Sequence, residues 1–542
     1  MKTKYIFILG GVMSGVGKGT SSAALGLTLQ SRGFNVTAMK VDPYVNVDAG
    51  TMNPVEHGEV FVTIDGDETD QDIGNYERFL NLNITKENYM TTGRVYLSVI
   101  ERERRGGYHG KCVEVVPRVP EEIIDRIEKA AKHAKSDFML IEVGGTVGEY
   151  ENILFLEALR MMKLKSPSSV STVLVSYLPV PPSIGEMKTK PTQHAVRAVN
   201  SVGINPDFLV CRSEQALDDP RREKLSRFCG VKPSHIITAP NAKSTYEVPL
   251  LFDKQGFAES MLKSFKMKAK KPVELSAWSK LVDTITTVDK PVRIGVVGKY
   301  FSTGDFILSD AYLSVLEAIK HASWSIGRKP VIEWLNSEEY ETHPEKLSEL
   351  SSYDGILIPG GFGSRGIEGK IAVIRYVREH NIPYFGICYG MQCAVIEYAR
   401  NVLCLSDSNT TEINPKTKNP VIHLMNDQTK KLKGTGIGGT LRLGSYPCVL
   451  KEGSKTSLAY ASNTISERHR HRYEFNNDYR AQLESAGLTI SGTSPDNRLV
   501  EIVELSSHPF FIGVQFHPEF QSRPLFPHPL FVAFVTAASE ER

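Results

Sequence analysis

The chain has 542 residues, of which 41% are hydrophobic and 23% are charged, and its formal net charge is only +2. This length exceeds what one hydrophobic core supports, so we expect two or three domains. Because the charge is nearly balanced, it does not indicate nucleic acid or a membrane surface as a partner. The seven cysteines form no CxxC pair and no zinc-like spacing with histidine, and the apolar run at 5–9 is too short for a signal peptide. The sequence therefore predicts a cytoplasmic location.

A glycine-rich loop at residues 10–20 lies between a predicted strand at 5–9 and a helical pattern at 21–32. In such loops the backbone N–H groups and the helix N-terminus bind phosphate. The match to GxxxxGK[ST] is imperfect, because Val12 replaces the first glycine and Gly19 separates Lys18 from Thr20. We still predict an ATP site, in which Lys18 contacts phosphate oxygens and Thr20 supports a magnesium ion. Its predicted loop residues are Ser14, Gly15, Val16, Gly17, Lys18, Gly19 and Thr20.

Charged side chains end two further predicted strands in this half of the chain. Lys40 ends a strand that begins at Asn35, and Glu142 follows the apolar strand 138–141. The carboxyl ends of parallel strands form the ligand crevice of an open α/β sheet. Since Mg²⁺ takes one or two carboxylates together with phosphate oxygens, we expect Glu142 to be a magnesium ligand. Asp72 is a second candidate, although position alone does not separate it from Asp70.

A second basic segment, Lys188-Thr-Lys-Pro-Thr-Gln193, follows the predicted strand 172–177. Two lysines flank a hydroxyl there, and Pro191 can start the next helix, so the segment suits a second phosphate chain. Lys224 lies in a later predicted helix. The repeated strand–helix units predict a parallel, doubly wound sheet. We interpret this half as a phosphoryl-transfer enzyme with a phosphorylated co-substrate.

The second half restarts as an α/β domain and contains a Gly-x-Cys-x-Gly turn at Gly386, Cys388 and Gly390. A cysteine on a strand-to-helix turn has the form of a nucleophile elbow, and a helix N-terminus favours its thiolate. Consecutive glycines at 359–366 can present N–H groups to an oxyanion. Downstream, His517 can act as the base and Glu519 can orient it, which predicts a Cys388–His517–Glu519 triad. Glu412 and Arg472 could bind the charged groups of a substrate.

These patterns predict a fold of two doubly wound α/β domains with mostly parallel sheets, joined by a linker. We place the first domain at residues 1–269, an ordered linker with a short helix at 270–291, and the second domain at 292–542.

The Gly-Ile-Cys-Tyr-Gly turn with His-Pro-Glu resembles the class I, triad-type glutamine amidotransferases. The phosphate loop together with Lys188-Thr-Lys-Pro-Thr-Gln193 closely resembles the CTP synthase family, and the likeness extends from the first strand to His528-Pro-Leu-Phe531. The resemblance implies a P-loop NTPase-like first half and a flavodoxin-like glutaminase second half. It also implies synthesis of CTP from UTP, ATP and glutamine, through a phosphorylated UTP and an ammonia intermediate.

The family likeness implies a role for each matching position. Lys18 and Lys40 are implied to lie near the transferring phosphate, Asp72 and Glu142 to bind Mg²⁺, and Asn241 to lie near the adenine, where the local sequence departs from the family pattern. The positions implied to contact UTP or CTP are Ser14, Glu149, Tyr150, Glu151, Lys188, Thr189, Lys190, Pro191, Thr192, Gln193 and Lys224. Those implied to hold glutamine are Gly361, Tyr389, Gly390, Met391, Gln392, Glu412 and Arg472, and His57 matches the ammonia route. GTP activation, CTP inhibition, a homotetramer and filaments are further expectations from the family.

Two alternatives stay open at the level of sequence. One is a different ATP-dependent amidotransferase that amidates carboxylates, such as a cobyrinic acid amidating enzyme, which would not need the basic 188–190 segment. The other is a non-catalytic filament or scaffold protein with the same fold. The joint presence of Lys18, Asp72, Glu142 and Cys388 disfavours the second alternative.

Overall fold

A computed structural model describes residues 2–52, 57–299, 302–303, 306–307, 309–424 and 441–540. The chain forms two compact units. The first comprises Met1–Asp48 and Asp72–Val282, and the second comprises Ala49–Gln71 and Asp283–Arg542. A segment from the first half of the sequence thus belongs to the second unit. The domain bounds at 269 and 291 inferred from sequence remain a prediction.

The strands, in chain order, are β1 (Lys4–Gly10), β2 (Val36–Asp42), β3 (Phe61–Val62), β4 (Glu68–Thr69), β5 (Tyr89–Thr91), β6 (Phe138–Val143), β7 (Val170–Tyr177), β8 (Phe208–Ser213), β9 (Ile236–Pro240), β10 (Pro291–Gly298), β11 (Ser302–Thr303), β12 (Phe306–Ile307), β13 (Lys329–Asn336), β14 (Gly355–Ile358), β15 (Tyr384–Ile387), β16 (Ser408–Thr410), β17 (Asn419–Leu424), β18 (Arg442–Leu450), β19 (Thr464–His471), β20 (Tyr473–Phe475), β21 (Thr489–Thr493), β22 (Val500–Glu504) and β23 (Phe511–Val514).

The helices are α1 (Lys18–Gln30), α2 (Asp72–Leu80), α3 (Thr92–Arg104), α4 (Val115–His133), α5 (Ile153–Lys165), α6 (Lys190–Ser201), α7 (Asp219–Cys229), α8 (Val248–Lys254), α9 (Phe257–Ser264), α10 (Ser276–Thr287), α11 (Leu313–Ser325), α12 (Ser337–Thr342), α13 (Ile367–Glu379), α14 (Tyr389–Asn401), α15 (Lys455–Tyr460), α16 (Arg480–Ser485) and α17 (Pro529–Ser539). Helix α10 is the short helix expected within 270–291. Among the described residues, no helix has both the length and the apolarity that a membrane crossing requires.

The first unit is built on a seven-stranded sheet in the order β5-β2-β6-β1-β7-β8-β9. Every neighbouring pair is parallel. Strand β1 is an almost continuous apolar run because helices cover both faces of the sheet. Phe7 and Leu9 pack with the α4 residues Ile123 and Ile127 on one face. On the other face α1 lies so close that a side chain at Gly26 would meet Leu140.

The second unit contains a nine-stranded sheet in the order β13-β10-β14-β15-β23-β22-β21-β18-β19. Its first five strands are parallel, as predicted, and β14 and β15 are neighbours. The remaining strands pair antiparallel, which the sequence analysis did not anticipate. Both units are therefore α/β, and the predicted fold class is confirmed. The carboxyl ends of β14, β15 and β23 bring three predicted site segments to one edge.

Candidate active sites

Cys388 occupies the turn between β15 and α14, as the nucleophile-elbow pattern predicts. Its backbone has φ 51° and ψ −98°, a left-handed conformation that is strained for a side chain with a Cβ atom. The Cys388 N–H donates to Val514 O at 2.6 Å, which ties the turn to β23. The side chain is 4% exposed and points into a cavity. The strain is retained because neighbouring strands fix the turn, and it presents the thiol at the start of α14.

His517 and Glu519 form the buried pair that the sequence predicts. His517 Nδ1 and Glu519 Oε1 are 2.7 Å apart. We expected this contact to form in an extended chain. The structure instead makes it through a 3₁₀ turn at Pro518–Gln521. His517 Nε2 has no hydrogen-bond partner among the described residues, and it lies in the cavity that Cys388 also lines. A ring with Nδ1 fixed by a carboxylate and Nε2 open is suited to proton transfer at Cys388.

The carboxylate and the cysteine change the titration of His517. Burial alone would lower the pKa of His517, but Glu519 and Cys388 outweigh it and raise the pKa to about 10. The imidazole therefore favours its protonated form, which can pair with a cysteine thiolate and later protonate a leaving amine.

We expect Glu519→Gln to lower stability in a pH-dependent way, because the variant loses the main group that raises the pKa of His517. The folded pKa of about 10 exceeds the ordinary value of 6.5, so this stabilisation is fully present below pH 6.5 and is lost as pH rises towards 10. Thermal unfolding of both proteins across this pH range checks the sign. A difference in melting temperature that stays constant across the range would contradict it.

The cavity beside Cys388 has a volume of about 310 Å³ and lies within the second unit. Its lining includes the predicted residues Gly361, Gln392, Glu412, Arg472, His517 and Glu519. Arg470, His471 and Tyr473 also line it, as do four residues of the 49–71 segment: Gly50, Glu59, Val60 and Glu68. His57 is close to them in sequence but is not among the lining residues described, so its role on an ammonia route stays a prediction.

The glycine loop after β14 forms one wall of the cavity. A Cβ atom at Gly360 would lie 2.7 Å from His517 Cε1, so only glycine fits beside the imidazole. The loop is held from both sides, because Tyr389 Oη donates to Gly363 O at 2.8 Å and Gly363 N–H donates to Glu412 Oε1 at 2.9 Å. Burial raises the pKa of Glu412. The loop that contains Gly361, the predicted oxyanion residue, is therefore held in the wall of the cavity that Cys388 also lines.

Gln392 reaches the same cavity from the first turn of α14. Its Nε2 donates to Tyr473 O at 3.0 Å and to Gln515 Oε1 at 3.2 Å. Gln515 was missed by sequence analysis, yet its Nε2 lies 3.6 Å from Cys388 Sγ. Its position two residues before His517 was the available signal. Gly390 and Met391 are buried in α14 beneath this contact and do not line the cavity.

In the first unit, the phosphate loop and the predicted metal ligands lie together. Lys40 Nζ pairs with Asp72 and lies 3.1 Å from Glu142 Oε1. Lys18 Nζ donates to Gly145 O at 2.9 Å. A Cβ at Gly19 would meet the Asp72 carboxylate, which places that carboxylate against the start of α1. These contacts place Asp72 beside Lys40 and the start of α1, and the choice between Asp72 and Asp70 as a magnesium ligand stays a prediction.

Burial raises the pKa of Glu142 to about 7, and the neighbouring Asp72 adds to this effect, while Lys40 and Lys18 oppose it. The Tyr76 hydroxyl donates to Glu142 Oε2. Tyr76 was not predicted, although it lies one helical turn after Asp72. No group of three or more potential metal ligands occurs among the described residues. A carboxyl whose pKa is raised by a neighbouring carboxylate suits Mg²⁺, since phosphate oxygens and water complete the coordination of the ion.

A small cavity of about 80 Å³ adjoins the phosphate loop. It is lined by Gly17, Thr20, Ser21, Arg212, Ala239, Ala242, Thr245 and Val248. Arg212, another residue that sequence analysis missed, donates to Ala239 O at 2.8 Å and approaches Asn241 Oδ1 at 3.3 Å. Its place at the end of β8 was the available signal. Asn241 itself does not line this cavity in the described structure.

The structure joins only some of the residues that are predicted to contact UTP or CTP. Pro191 lies in the first turn of α6, as predicted, and Gln193 Nε2 donates to Thr189 Oγ1 at 3.1 Å. Thr192 bonds to Ser176 within the unit, while Lys188 pairs with Glu186 at 2.6 Å and Lys190 is exposed. Glu149 accepts from Thr146, whereas Ser14, Tyr150, Glu151 and Lys224 are exposed. No hydrogen bond or ion pair among the described residues joins Lys224 or residues 149–151 to the 188–193 segment.

A cysteine elbow, a His–Glu pair and a glycine loop at one edge of an α/β sheet define a class I-type glutamine amidotransferase site. In the same chain, a parallel α/β unit carries a phosphate loop next to two carboxylates. The chain thus combines an ammonia-releasing domain with a nucleotide-binding domain.

Comparison with known proteins agrees with this combination. Residues 4–267 match the family model described as CTP synthase N-terminus, and residues 307–537 match glutamine amidotransferase class-I. A CTP synthase from Symbiobacterium thermophilum is 50% identical over 544 residues, covering 99% of both chains. One from Cyanothece sp. is 49% identical over 538 residues, covering 99% of this chain and 96% of the relative. A solved glutaminase domain of Trypanosoma brucei CTPS with bound acivicin is 39% identical with a TM-score of 0.42, covering 46% of this chain and 95% of that one.

The chain belongs to the CTP synthase family, and with it to the glutamine-hydrolysing ligases.

Proposed function

We propose that the protein catalyses the reaction ATP + UTP + glutamine + water → CTP + ADP + phosphate + glutamate. The observation that carries this proposal is the pairing in one chain of a Cys–His–Glu site with a phosphate loop beside two carboxylates. Full-length similarity to CTP synthases supports the choice of UTP as the nitrogen acceptor.

In the second unit, Cys388 Sγ attacks the amide carbon of glutamine, and a C–S bond forms. His517 protonates the departing nitrogen, ammonia leaves, and water then hydrolyses the thioester to glutamate. Glu519 holds the imidazole, and N–H groups of the glycine loop around Gly361 stabilise the oxyanion. Glu412 and Arg472 bind the ammonium and carboxylate of glutamine, while Gln392 and Tyr389 support the loop and the pocket.

In the first unit, the C4 oxygen of UTP attacks the γ-phosphoryl group of ATP. Lys18 and Lys40 neutralise the charge that develops on the phosphate oxygens. Asp72 and Glu142 would hold Mg²⁺, which would supply positive charge to the phosphate chain of ATP. Ammonia then displaces phosphate from C4, since phosphorylation turns a poor leaving group into a good one. The backbone of residues 14–20 binds the ATP phosphates, and Asn241 lies towards the adenine.

The remaining family expectations belong to the same proposal. Lys188–Gln193 and Lys224 bind the UTP triphosphate, and Glu149–Glu151 take part in feedback inhibition by CTP. GTP activates the enzyme, ammonia passes by His57, and the protein forms a homotetramer that can polymerise into filaments. Neither nucleic acid nor a membrane is a partner.

An absorbance assay for CTP tests the proposal. Purified protein is given ATP, Mg²⁺ and UTP with either glutamine or ammonium, and carboxylate acceptors replace UTP in parallel. We expect CTP with both nitrogen sources and no turnover of the carboxylates. Amidation of a carboxylate without CTP formation would support the rival class of amidating enzymes. No activity with any acceptor, even with ammonium, would support the scaffold alternative.

We expect Glu142→Gln to reduce the ammonia-dependent rate by about 10²-fold or more, because a neutral amide supports the metal and the phosphoryl transfer poorly. The Mg²⁺ concentration for half-maximal rate should rise as well. Glu101→Gln, at an exposed position on α3, is the matched control and should behave as wild type. An unchanged Mg²⁺ requirement in Glu142→Gln would contradict the assignment of this carboxylate.

A further inference from the structure

Three backbone carbonyls of one short segment contact the glutaminase machinery. Arg468 O accepts from the His517 N–H at 2.7 Å, and Arg470 O lies 3.9 Å from Cys388 Sγ. Tyr473 O accepts from Gln392 Nε2 at 3.0 Å. We call residues 468–473 the carbonyl segment. Because it contacts base, nucleophile and pocket amide together, a small displacement of its backbone would misplace all three.

Two buried imidazoles on the carbonyl segment form a directed chain of hydrogen bonds. His469 Nδ1 and His471 Nε2 are 2.8 Å apart, and His471 Nδ1 lies 3.2 Å from Tyr473 O. His471 Nδ1 also lies 3.4 Å from Glu474 Oε1, but the carbonyl is nearer and can only accept, so we assign the proton to His471 Nδ1. In the neutral ring, Nε2 then accepts from His469 Nδ1–H. Tyr473 O then uses both lone pairs, one for His471 and one for Gln392. The chain fixes the direction of each bond.

The surroundings of these imidazoles keep them neutral. Burial and the nearby Arg442 lower the pKa of both His469 and His471 well below the ordinary value. Arg442 contacts Glu501 at 2.8 Å and Glu474 at 3.4 Å, and all three side chains are buried.

The two carboxyls compete for one guanidinium. Burial and Glu501 raise the pKa of Glu474 well above its ordinary value, which favours the protonated form of this carboxyl. With their pKa values lowered, the two histidines serve as hydrogen-bonding groups rather than as acids or bases.

We propose that His471 is a positioning residue for glutamine hydrolysis: its Nδ1–H fixes the Tyr473 carbonyl, and through it the Gln392 amide and the adjacent Arg472, at the glutamine pocket. His471 acts on backbone and on Gln392, and it takes no part in bond making. A purely packing role would not require a polar ring at a site with 5% exposure, where an unpartnered polar group is costly. The inference rests on the proposed glutaminase activity of Cys388.

Two nearly isosteric substitutions test this role. His471→Asn retains an N–H close to the Nδ1 position, whereas His471→Leu has similar volume and no donor. We expect His471→Leu to raise the KM for glutamine by about 10-fold, the value of one lost hydrogen bond. His471→Asn should stay within about threefold of wild type, because it restores the donor. Ammonia-dependent CTP formation, measured in the same preparations, should be unchanged in both variants.

Several outcomes would overturn the proposal. The first is a KM for glutamine in His471→Leu that equals the wild-type value. The second is an equal rise of this KM in both variants, accompanied by a lower melting temperature. The third is a fall in the ammonia-dependent rate as large as the loss of glutamine-dependent activity. If His471→Leu does not fold, His469→Leu decides, since it removes the donor to His471 Nε2 and should raise the KM for glutamine beyond the roughly threefold range allowed for His471→Asn. An unchanged KM there would also refute the chain. Wild-type protein without glutaminase activity would instead refute the proposed function itself.

Discussion

Cys388→Ala should abolish glutamine-dependent CTP formation and leave the ammonia-dependent reaction at the wild-type rate. The thiol is the only group proposed to form a covalent bond with glutamine. Removing a covalent nucleophile lowers the rate by about 10⁴-fold or more. The elbow carries the cysteine at φ 51° in a turn held by Val514 O, and alanine keeps that turn without the sulfur. The phosphate loop and its carboxylates belong to the other unit, so their chemistry has no need of the thiol. CTP measured with glutamine and, separately, with ammonium gives both rates.

Cys404→Ala is the control, because Cys404 is exposed and does not line the cavity of Cys388. It should retain both activities. Loss of the ammonia-dependent reaction in Cys388→Ala would show that this cysteine is structural, and retention of the glutamine-dependent reaction would refute its role as nucleophile.

Lys18→Ala should lose both reactions, by about 10³-fold or more, because phosphorylation of UTP precedes amination whatever the nitrogen source. Burial lowers the pKa of Lys18, while Glu142 and Asp72 oppose this effect and favour the ammonium form. The side chain thus places a positive charge beside the two carboxylates, where the phosphate chain is proposed to bind. Hydrolysis of glutamine to glutamate should persist, since Cys388 lies in the other unit.

Lys263→Ala, on the exposed side of α9, serves as the matched control and should behave as wild type. Ammonia-dependent CTP formation by Lys18→Ala at the wild-type rate would refute the assignment of Lys18. Loss of glutaminase activity as well, together with a lower melting temperature, would mean that the substitution disturbs folding.

Local patterns in the sequence predicted the parts of both sites that a single turn defines. The glycines around Cys388 require the sharp turn that the structure contains, and Lys18 follows from its glycine loop. His517 and Glu519 were predicted as a pair, and the structure joins them through a 3₁₀ turn rather than an extended strand. The proline after His517 makes such a turn favourable, which a strand-based argument overlooked.

Contacts made over long sequence distances were not predictable in the same way. Asp72 pairs with Lys40, 32 residues earlier in the sequence, and lies against Gly19. Gln515 contacts Cys388, which is 127 residues away in sequence, and this contact is what places Gln515 at the site. The 49–71 segment was assigned to the first domain, yet Glu68 pairs with Arg470 at 2.8 Å in the second unit. One sequence reveals residue types and periodicity, but such pairings depend on the assembled sheets.

The transfer of nitrogen from glutamine to CTP can be followed directly with an isotope. Protein is incubated with ATP, Mg²⁺, UTP and glutamine labelled with nitrogen-15 in the side-chain amide, with unlabelled ammonium also present, and the CTP is analysed by mass spectrometry. We expect CTP with the heavy nitrogen at its 4-amino group from the wild-type protein, and only unlabelled CTP from the Cys388→Ala variant. Wild-type CTP that carries only unlabelled nitrogen, or the absence of CTP altogether, would contradict this transfer.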